Sequence, residues 1–445
     1  MKILIVSNLY PPHYMGGYEL HCAQVAEALH ESGHDVRVLT SVYGVPRGGG
    51  VVTQGTTELH GPVPVYRRLK QYALRPRSTL RPWTPFRARN ELSDARLFLQ
   101  LLEEFRPDVV NWWNMFGLTK LMLPIPHRLG IPTVHAIDDN WLIQEFGAGG
   151  AIASAFWNGV WDGDWGPPVL RPLLRLLGRR WEARTAREGI PTRQSASGPG
   201  HACFLSWYLL RLHEEAGIAC SSAEVIHGGV QVDRFYGARP FEPDHAQPVR
   251  ILYAGQVTPD RGLHTLIAAI TYLAPEIQSQ VRLTVAGGGQ DEYVSKVKEQ
   301  VRSAGLADRI SFMGKVLHAE LPAVYKSHDL FVFASSRQEG FGFVMVEAML
   351  AGCAVLTTGS GGSQEIARAA DLPQFPAGDA RALSHLLAAQ VTDRAGLHRI
   401  AVKGQAVALR EFTFDRMMEK WNASLRRFPA SRSGTADGGP HGSAR

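Results

Sequence analysis

The sequence contains few cysteines and no long hydrophobic run. Its 445 residues include 4 cysteines, none in a Cys-x-x-Cys pair, so a disulfide framework and a zinc site are both disfavoured, and free thiols in a reducing compartment are expected. No apolar run approaches the ~20 residues of a membrane-spanning helix. The first run, Ile3 to Val6, is too short for the core of a signal peptide. We therefore expect a cytoplasmic protein, either soluble or peripheral at the inner face of a membrane.

Two common nucleotide-binding signatures are also missing. No Gly-x-Gly-x-x-Gly follows the strand-like runs Ile3 to Val6 and Ile251 to Ala254, which disfavours a nucleotide-dependent oxidoreductase. No Gly-x4-Gly-Lys-Ser/Thr loop occurs, which argues against a P-loop NTPase.

The overall composition is typical of a soluble globular protein. Hydrophobic residues make up 45 % of the chain and charged residues 20 %, and the length allows two domains of about 200 residues each. The formal charge of +6 at pH 7 favours an anionic substrate or surface.

Strand-like and helical patterns alternate through both halves of the chain. Ile3 to Val6, a helical pattern from Leu20 to Leu29, and Val36 to Thr40 predict a strand, helix and parallel strand, and Ile251 to Ala254 opens a similar series. This order predicts an α/β protein with two Rossmann-like, doubly wound parallel sheets.

The most informative stretch is Glu339 to Met349. It reads Glu-Gly-Phe-Gly-Phe-Val-Met-Val-Glu-Ala-Met and follows a strand-like run. Gly340 and Gly342 let the backbone approach a ligand, and a helix that starts near Gly342 would direct free N–H groups at an anion. The carboxylates of Glu339 and Glu347 can accept hydrogen bonds from hydroxyls. Together these features suggest a ligand with a diphosphate and several hydroxyls, such as a nucleotide sugar.

This stretch resembles the E-x7-E signature of glycosyltransferase family 4, the glycosyl transferases group 1 of the GT-B fold. The resemblance implies two Rossmann-like domains that face each other across a cleft. It also implies transfer of a hexose-type sugar from a nucleoside-diphosphate sugar, with retention of the anomeric configuration. By resemblance, Glu339 would bind sugar hydroxyls, Glu347 would bind the ribose, and Phe341 would lie between the two donor-binding glycines Gly340 and Gly342.

Two segments of the first half carry the same resemblance. Pro11-Pro12 and then Gly16-Gly17-Tyr18-Glu19 resemble the family's N-terminal glycine loop, which would place Gly16 and Gly17 beside the donor. Glu224 to Phe235 resembles the end of the family's first domain, with His227 in place of an asparagine.

The first half departs from the family at the position beside the anomeric carbon. Many members have His-Asp-x-Trp there, whereas this chain has Asp138-Asp139-Asn140-Trp141 with a histidine three residues earlier, at His135. Either His135 or Asp138 takes the role of the family's histidine, and alignment on Asp139 and Trp141 favours Asp138.

The second half departs from the family at one diphosphate-binding position. Family members show Gly-Arg-x4-Lys-Gly, but here Gln256 replaces the first cation and Arg261 stands for the second. Glutamine can donate a hydrogen bond but carries no charge, so one ion pair is lost. The resemblance also places Gly287 against the donor and Val316 in the loop that holds the base.

The expected domain organisation follows from these matches. Residues 1–235 form the acceptor-side domain, with an insertion at about 147–200, and residues 236–411 form the nucleotide-sugar domain after a proline-containing linker. A last helix at about 412–428 returns to the first domain. Residues 429–445, rich in Gly, Ser and Pro, are expected to be disordered.

Three further segments leave alternatives open. Residues 59–90 contain no acid but eight cations, which fits either a solvated loop or an arm that meets an anionic acceptor or membrane; the cations are Arg67, Arg68, Lys70, Arg75, Arg77, Arg81, Arg87 and Arg89. The helical pattern from Leu170 to Trp181 favours a helix packed on its own domain over an interfacial helix. Asp162-Gly163-Asp164 is interpreted as a turn and not as a metal site.

The sequence therefore predicts a metal-independent hexosyltransferase without a cofactor. Its partners would be a nucleotide-sugar donor, a glycan or lipid-linked acceptor from polysaccharide biosynthesis, and an anionic membrane, but no nucleic acid. The rival interpretation is a non-catalytic GT-B protein that binds a nucleotide sugar or glycan, to which Gln256 and the histidine missing before Asp139 both point.

Overall fold

The structure is a computed structural model. It describes residues 1–43, 57–71, 84–145, 157, 168–190, 192, 199–237 and 247–428. Several sequence predictions fall outside these residues: the cations Arg75, Arg77 and Arg81, the turn from Asp162 to Asp164, most of the linker, and the tail at 429–445.

The first sheet has eight strands in the order β3-β4-β2-β1-β5-β6-β7-β8. All neighbours are parallel except β3, which pairs antiparallel with β4. The strands are β1 (Lys2–Val6), β2 (Asp35–Ser41), β3 (Thr57–His60), β4 (Val63–Leu69), β5 (Val109–Trp112), β6 (Thr133–Ile137), β7 (His201–Phe204) and β8 (Ser222–Val225).

Helices connect these strands. They are α1 (Gly17–Glu31), α2 (Thr84–Phe105), α3 (Pro124–Arg128), α4 (Trp141–Glu145), α5 (Arg171–Arg187), α6 (Trp207–Glu215) and α7 (Val232–Phe235). Helix α1 ends at Glu31, and Gly33 just beyond it adopts a φ of +87° that residues with a Cβ disfavour.

The second sheet has five parallel strands in the order β11-β10-β9-β12-β13. The strands are β9 (Val249–Ala254), β10 (Val281–Ala286), β11 (Ile310–Gly314), β12 (Leu330–Phe333) and β13 (Ala354–Thr357). Its helices are α8 (Leu263–Thr271), α9 (Pro275–Gln278), α10 (Asp291–Ser303), α11 (Leu321–Lys326), α12 (Phe343–Leu350), α13 (Ser363–Ala370), α14 (Ala380–Thr392) and α15 (Arg394–Glu411).

Both sheets are covered on their two faces. Ile3, Leu4, Ile5 and Val6 are all fully buried, which explains why this strand is a continuous apolar run instead of an alternating one. The last helix, α16 (Phe414–Leu425), packs on the first sheet, where the ring of Trp421 stacks on Trp113 with centroids 6.0 Å apart. The two predicted doubly wound sheets and the returning helix are therefore present.

One sequence interpretation is wrong in its described part. Residues 57–69 are not a solvated loop but an antiparallel hairpin, and the buried Arg67 contacts Glu58 and the carbonyl oxygens of Tyr10 and Pro11. Helix α5 packs on its own domain through Leu174, Gly178 and Thr185, as the sequence favours, but Leu170, Leu173 and Leu177 of its apolar face are exposed. Among the described residues, no helix is both long and apolar enough to cross a membrane.

Candidate functional site

A cleft of about 800 Å³ lies between the two sheets. Its walls come from the loops at the carboxyl ends of strands in both sheets, where parallel α/β folds bind their ligands. The lining includes Gly16, Gly17, Tyr18, Glu19, Asp138 and Asp139 from the first half, and Gln256, Arg261, Arg337, Glu339, Gly340, Phe341, Gly342 and Phe343 from the second.

The glycine loop before α1 is held by a buried carboxylate. Glu19 accepts hydrogen bonds from the backbone N–H groups of Gly16 at 3.0 Å and Met15 at 3.3 Å. This fixes Gly16 and Gly17 at the wall of the cleft, where no side chain stands between the helix end and a ligand. The structure therefore puts both predicted glycines in the cleft.

Glu339 and Arg261 contact each other in the second half of the cleft. The guanidinium Nη1 of Arg261 donates to Oε1 of Glu339, which also accepts a hydrogen bond of 2.8 Å from the Ser335 hydroxyl. Arg261 approaches from the loop after β9 and Glu339 from the loop after β12. The candidate cation and the candidate hydroxyl-binding acid are thus adjacent, as expected if both bind the same donor.

Helix α12 starts at the cleft. Its N-terminal cap, Gly342, has a φ of +113°, a conformation that glycine adopts with little strain. The free N–H groups of this first turn supply the positive end of the helix dipole to the cleft that Arg261 also lines.

The two halves touch directly at Gly340. A Cβ on Gly340 would lie 2.4 Å from the carbonyl oxygen of Asp138, so only a glycine fits there without a shift. The Ser206 hydroxyl donates to the carbonyl oxygen of Gly340 at 2.6 Å. The cleft is therefore closed at this point by contact between the two backbones.

Glu365 on α13 makes a second bridge between the halves. Its carboxylate accepts hydrogen bonds from the backbone N–H of Tyr208 at 2.7 Å and of Trp207 at 3.1 Å, at the start of α6, and it pairs with Nε2 of His227 at 2.8 Å. Burial alone would raise the pKa of Glu365, but the hydrogen bonds from His227 and the two backbone N–H groups outweigh burial and lower it. The His227 that departs from the family pattern is thus a partner of this carboxylate.

Two neighbouring acids line the first-half wall of the cleft. Oδ2 of Asp138 lies 2.6 Å from Nδ1 of the buried His21. Oδ1 of Asp139 accepts a hydrogen bond from the backbone N–H of Trp141 at 2.8 Å. Burial raises the pKa of Asp139 to about 6 against that opposing hydrogen bond, and the carboxylate of Asp138 adds to the rise.

His135 does not reach the cleft. It is buried in β6 and lines a separate cavity near the opposite, amino-terminal edge of the sheet, together with Thr133 and His201. Burial lowers the pKa of His135 to about 3, so it is neutral at physiological pH. Of the two alternatives for the position beside the anomeric carbon, the geometry therefore favours Asp138.

Glu347 opens into a smaller cavity of about 260 Å³ that adjoins the cleft and shares Gly17 and Phe343 with it. Glu347 and Glu339 therefore face two connected cavities and not one. Burial raises the pKa of Glu347 to about 7, against an opposing interaction with the Tyr325 hydroxyl. The carboxyl of Glu347 and the hydroxyl of Tyr325 are both buried.

Of the remaining residues predicted to bind the donor, one lies in the cleft and two do not. Gln256 lines the cleft. Gly287 and Val316 are not among the described residues that line either cavity. Gly287 instead packs so closely on the neighbouring loop that a Cβ would lie 1.7 Å from the carbonyl oxygen of Gly255. Gly287 thus has a packing role that the sequence pattern did not reveal.

Several cleft residues were missed by sequence reasoning. Arg337 lines the cleft with an exposed guanidinium that lies 4.0 Å from Asp260. The Tyr18 hydroxyl donates to the carbonyl oxygen of Ala136 at 2.5 Å and ties the glycine loop to β6. His21 is too distant in sequence from Asp138 for any local pattern to pair them. Arg337 and Tyr18 carried a usable signal, since Arg337 lies two residues before Glu339 and Tyr18 lies in the glycine motif at 16–19.

One group of potential metal ligands lies outside the cleft. Among the described residues, His201, Cys203 and Glu224 bring a ligand atom each to within 4.8 Å of one another. These groups already contact one another, the Ser424 hydroxyl and the Arg427 guanidinium. The group therefore ties β7 and β8 to the C-terminal segment that includes α16.

Two protein-family models match the chain. The model for Glycosyltransferase Family 4 covers residues 15–234, and the model for Glycosyl transferases group 1 covers residues 239–406. The break between them falls in the segment that the sequence predicts to be the interdomain linker.

Individual proteins match over different lengths. Lipopolysaccharide core biosynthesis mannosyltransferase LpcC of Rhizobium leguminosarum bv. viciae is 30 % identical over 257 residues, which are 51 % of this chain and 71 % of the relative. Mannosylfructose-phosphate synthase of Agrobacterium fabrum is 32 % identical over 165 residues, or 34 % of this chain and 36 % of the relative. The chain spans between about a third and a half of the length of the first curated relatives it matches.

A solved structure matches the whole arrangement. HepE of Anabaena in complex with UDP superposes with a TM-score of 0.64 at 18 % identity, and the match covers 96 % of this chain and 100 % of that chain. At this identity the likeness establishes a shared fold of two sheets around a cleft.

Proposed function

The chain belongs to glycosyltransferase family 4, the glycosyl transferases group 1 of the GT-B fold, and on that premise we propose that it moves a hexose from a nucleoside-diphosphate sugar to an acceptor with retention of the anomeric configuration. The observation that carries the proposal is the Arg261–Glu339 contact beside the start of α12, in a cleft between two nucleotide-binding folds. A cation and a helix N-terminus can bind a diphosphate, and the neighbouring acid can bind sugar hydroxyls.

The diphosphate would lie at the second-half wall. Bond breaking between the anomeric carbon and the diphosphate oxygen places negative charge on the leaving group, and fixed donors stabilise that charge. Arg261, the side-chain amide of Gln256 and the N–H groups of α12 would supply these donors, while Gly16 and Gly17 allow close approach from the other side. Glu339 pairs with Arg261, and we infer that donor binding moves the guanidinium from the carboxylate to the phosphates.

The nucleoside would occupy the smaller cavity. The buried carboxyl group of Glu347 lines this cavity, and we propose that it binds a ribose hydroxyl. His318 lines the same cavity and follows the β11 loop, where the family resemblance expects the base. Gly287 and Val316 stay donor-binding proposals of lower rank, because neither lines the cavities.

Transfer would take place beside Asp138. The acceptor oxygen bonds to the anomeric carbon on the face from which the diphosphate leaves, which retains the configuration. The bond to the diphosphate breaks, and the departing diphosphate oxygen takes the proton of the acceptor hydroxyl. Asp138 and Asp139 line the first-half wall of the cleft, and we propose that Asp138, held by His21, orients the sugar or the acceptor hydroxyl. This arrangement needs no metal, and turnover in the presence of EDTA tests that statement.

The donor and acceptor classes are narrowed by the relatives. LpcC is named a mannosyltransferase of lipopolysaccharide core biosynthesis and HepE was solved with UDP, so nucleoside-diphosphate mannoses and UDP-hexoses are the first donors to test. A glycolipid or a precursor of a cell-surface polysaccharide is the proposed acceptor.

The test combines binding with turnover. Thermal shifts of the wild type against a set of nucleotide sugars identify the donor, because a ligand of the native state raises its stability. Release of nucleoside diphosphate with an acceptor library, and the anomeric coupling constant of the product by NMR, then establish transfer and retention. Glu339→Gln and Arg261→Gln should each abolish turnover or weaken the donor affinity obtained from the thermal shift at least tenfold. The control Glu299→Gln, which changes an exposed residue on α10, should do neither. A wild-type response from both cleft variants would refute the site.

A non-catalytic binding protein is the second candidate, and Gln256 in place of a cation is the observation that favours it. Saturable donor binding without release of nucleoside diphosphate in that experiment would establish it.

A further inference from the structure

Helix α5 is held to the protein by a narrow face. Of its residues, Leu174, Gly178 and Thr185 are buried, and these follow one another along a single side. The preceding turn and the first half of the helix expose five aliphatic side chains to solvent. Their exposed fractions reach 85 % for Val169, 54 % for Leu173 and 51 % for Leu176, and Leu170 and Leu177 are exposed as well.

The same helix is strongly basic. Residues 168–187 contain six arginines and a single acid, Glu182. Arg184 pairs with Glu188 at 3.3 Å, but no described carboxylate lies within ion-pair distance of Arg179, Arg180 or Arg187. The helix therefore adds uncompensated positive charge to an exposed apolar surface.

Apolar and basic residues share the outward side of α5. Leu173, Leu176 and Leu177 recur at helical spacing with Arg180 and Arg184, so these side chains project to one side of the helix. The outward side is thus apolar in its first half and basic in its second. Seventeen residues span about 25 Å at 1.5 Å per residue, long enough to lie across several lipid headgroups.

Charge decides which partner fits this surface. A second copy of the chain could cover the leucines, but a symmetric contact would bring two arginine-rich helices together and they would repel each other. A bilayer with anionic headgroups accepts both features, because leucines enter the boundary between headgroups and acyl chains while arginines extend to the phosphates.

We propose that the surface formed by Val169, Leu170, Leu173, Leu176 and Leu177 with Arg179, Arg180 and Arg187 docks the protein on a membrane rich in anionic phospholipid. The docking surface differs from the basic stretch at 59–90, where three of the five described cations, Arg67, Lys70 and Arg87, are engaged in ion pairs with acids of the protein. It does not depend on the sugar-transfer proposal.

Flotation of the full chain with lipid vesicles tests the docking surface. The vesicles contain phosphatidylcholine with or without phosphatidylglycerol, at physiological ionic strength. One variant carries Leu173→Ser, Leu176→Ser and Leu177→Ser, and a second carries Arg179→Gln and Arg180→Gln. Matched controls are Val402→Ser with Leu409→Ser, which are exposed on α15, and Arg416→Gln with Lys420→Gln, which are exposed on α16.

Wild type and both controls should bind the anionic vesicles and bind the neutral vesicles weakly. Each arginine near an anionic surface contributes about fivefold to the partition coefficient, so the double arginine variant should lose about 25-fold. The leucine variant should lose binding to a similar or greater degree. All variants should melt within 2 °C or so of the wild type, because only exposed residues change.

Three outcomes would overturn the proposal. If the wild-type protein floats with neither the anionic nor the neutral vesicles, the protein does not dock on a membrane. A leucine variant that binds as the wild type does would show that the apolar patch is not involved. A wild-type dimer in sedimentation that dissociates in the leucine variant, without lipid binding, would show that a second copy covers the patch.

Discussion

Replacement of Glu347 by glutamine should change how stability depends on pH. Burial raises the pKa of this carboxyl from 4.5 to about 7, so between these values the folded state binds a proton that the unfolded state has released. Stability attributable to this group is therefore fully present below pH 4.5 and is lost as the pH rises through 7. Glutamine has the same shape and does not ionise.

The magnitude follows from the size of the shift. A change of about 2.5 pH units corresponds to about 3 kcal/mol of unfolding free energy at 1.4 kcal/mol per unit. Because Glu347 is 8 % exposed, solvent screening reduces this value little. For a domain of this size 1 kcal/mol moves the melting temperature by about 2–4 °C, so Glu347→Gln should gain about 6–12 °C relative to the wild type between pH 5 and pH 9.

Differential scanning calorimetry at pH 5, 6, 7, 8 and 9 measures this difference without any ligand. Glu276→Gln, on the exposed helix α9, is the control and should follow the wild type at every pH. A difference in melting temperature between wild type and Glu347→Gln that does not change with pH would refute the assignment of a buried, neutral carboxyl. Such a constant offset would mean that the side chain matters for packing but not for proton binding.

Three further predictions concern contacts across and within the cleft. Glu365→Gln should lower the free energy of unfolding by about 1–3 kcal/mol at neutral pH, because the carboxylate accepts hydrogen bonds from the start of α6. Since the pKa of Glu365 in the folded state is lowered from 4.5, this difference should vanish as the pH falls below 4.5 through that lowered value. Urea denaturation at neutral and acid pH measures it, and a difference that persists at acid pH would contradict the prediction. Gly340→Ala should lower turnover at least tenfold because its Cβ would lie 2.4 Å from the Asp138 carbonyl oxygen, and small-angle scattering should show a more open molecule; unchanged turnover would contradict close contact. Gln256→Arg should tighten donor binding about tenfold by restoring a charge-assisted hydrogen bond, as isothermal titration calorimetry can measure, and weaker binding would show that this position does not meet the diphosphate.

Local sequence features were sufficient for the fold and for part of the cleft. Apolar runs with helical patterns between them predict parallel strands and helices because each pattern reflects the burial of its own element. The glycines at 16, 17, 340 and 342 and the acid at 339 could be assigned because each lies in a short loop after a predicted strand. Such loops gather at the carboxyl edges of parallel sheets, and the structure shows them at one cleft.

Other features depended on distances that the linear sequence does not contain. Which of His135 and Asp138 reaches the cleft is decided by the direction of each side chain at the end of β6, and the partner of Asp138 is His21, 117 residues away. The bridge from Glu365 to α6 spans 157 residues.

The leucines of α5 show the same limit. Their helical spacing predicts an amphipathic helix, but spacing alone does not say whether protein or solvent lies against the apolar side. The sequence by itself therefore determined the two-sheet family fold and the glycine and acid positions of the cleft, because these arise from local periodicity and short loops. Only the tertiary structure decided which acids meet, which glycines pack, and which apolar surface stays uncovered, because each of these depends on elements far apart in the chain.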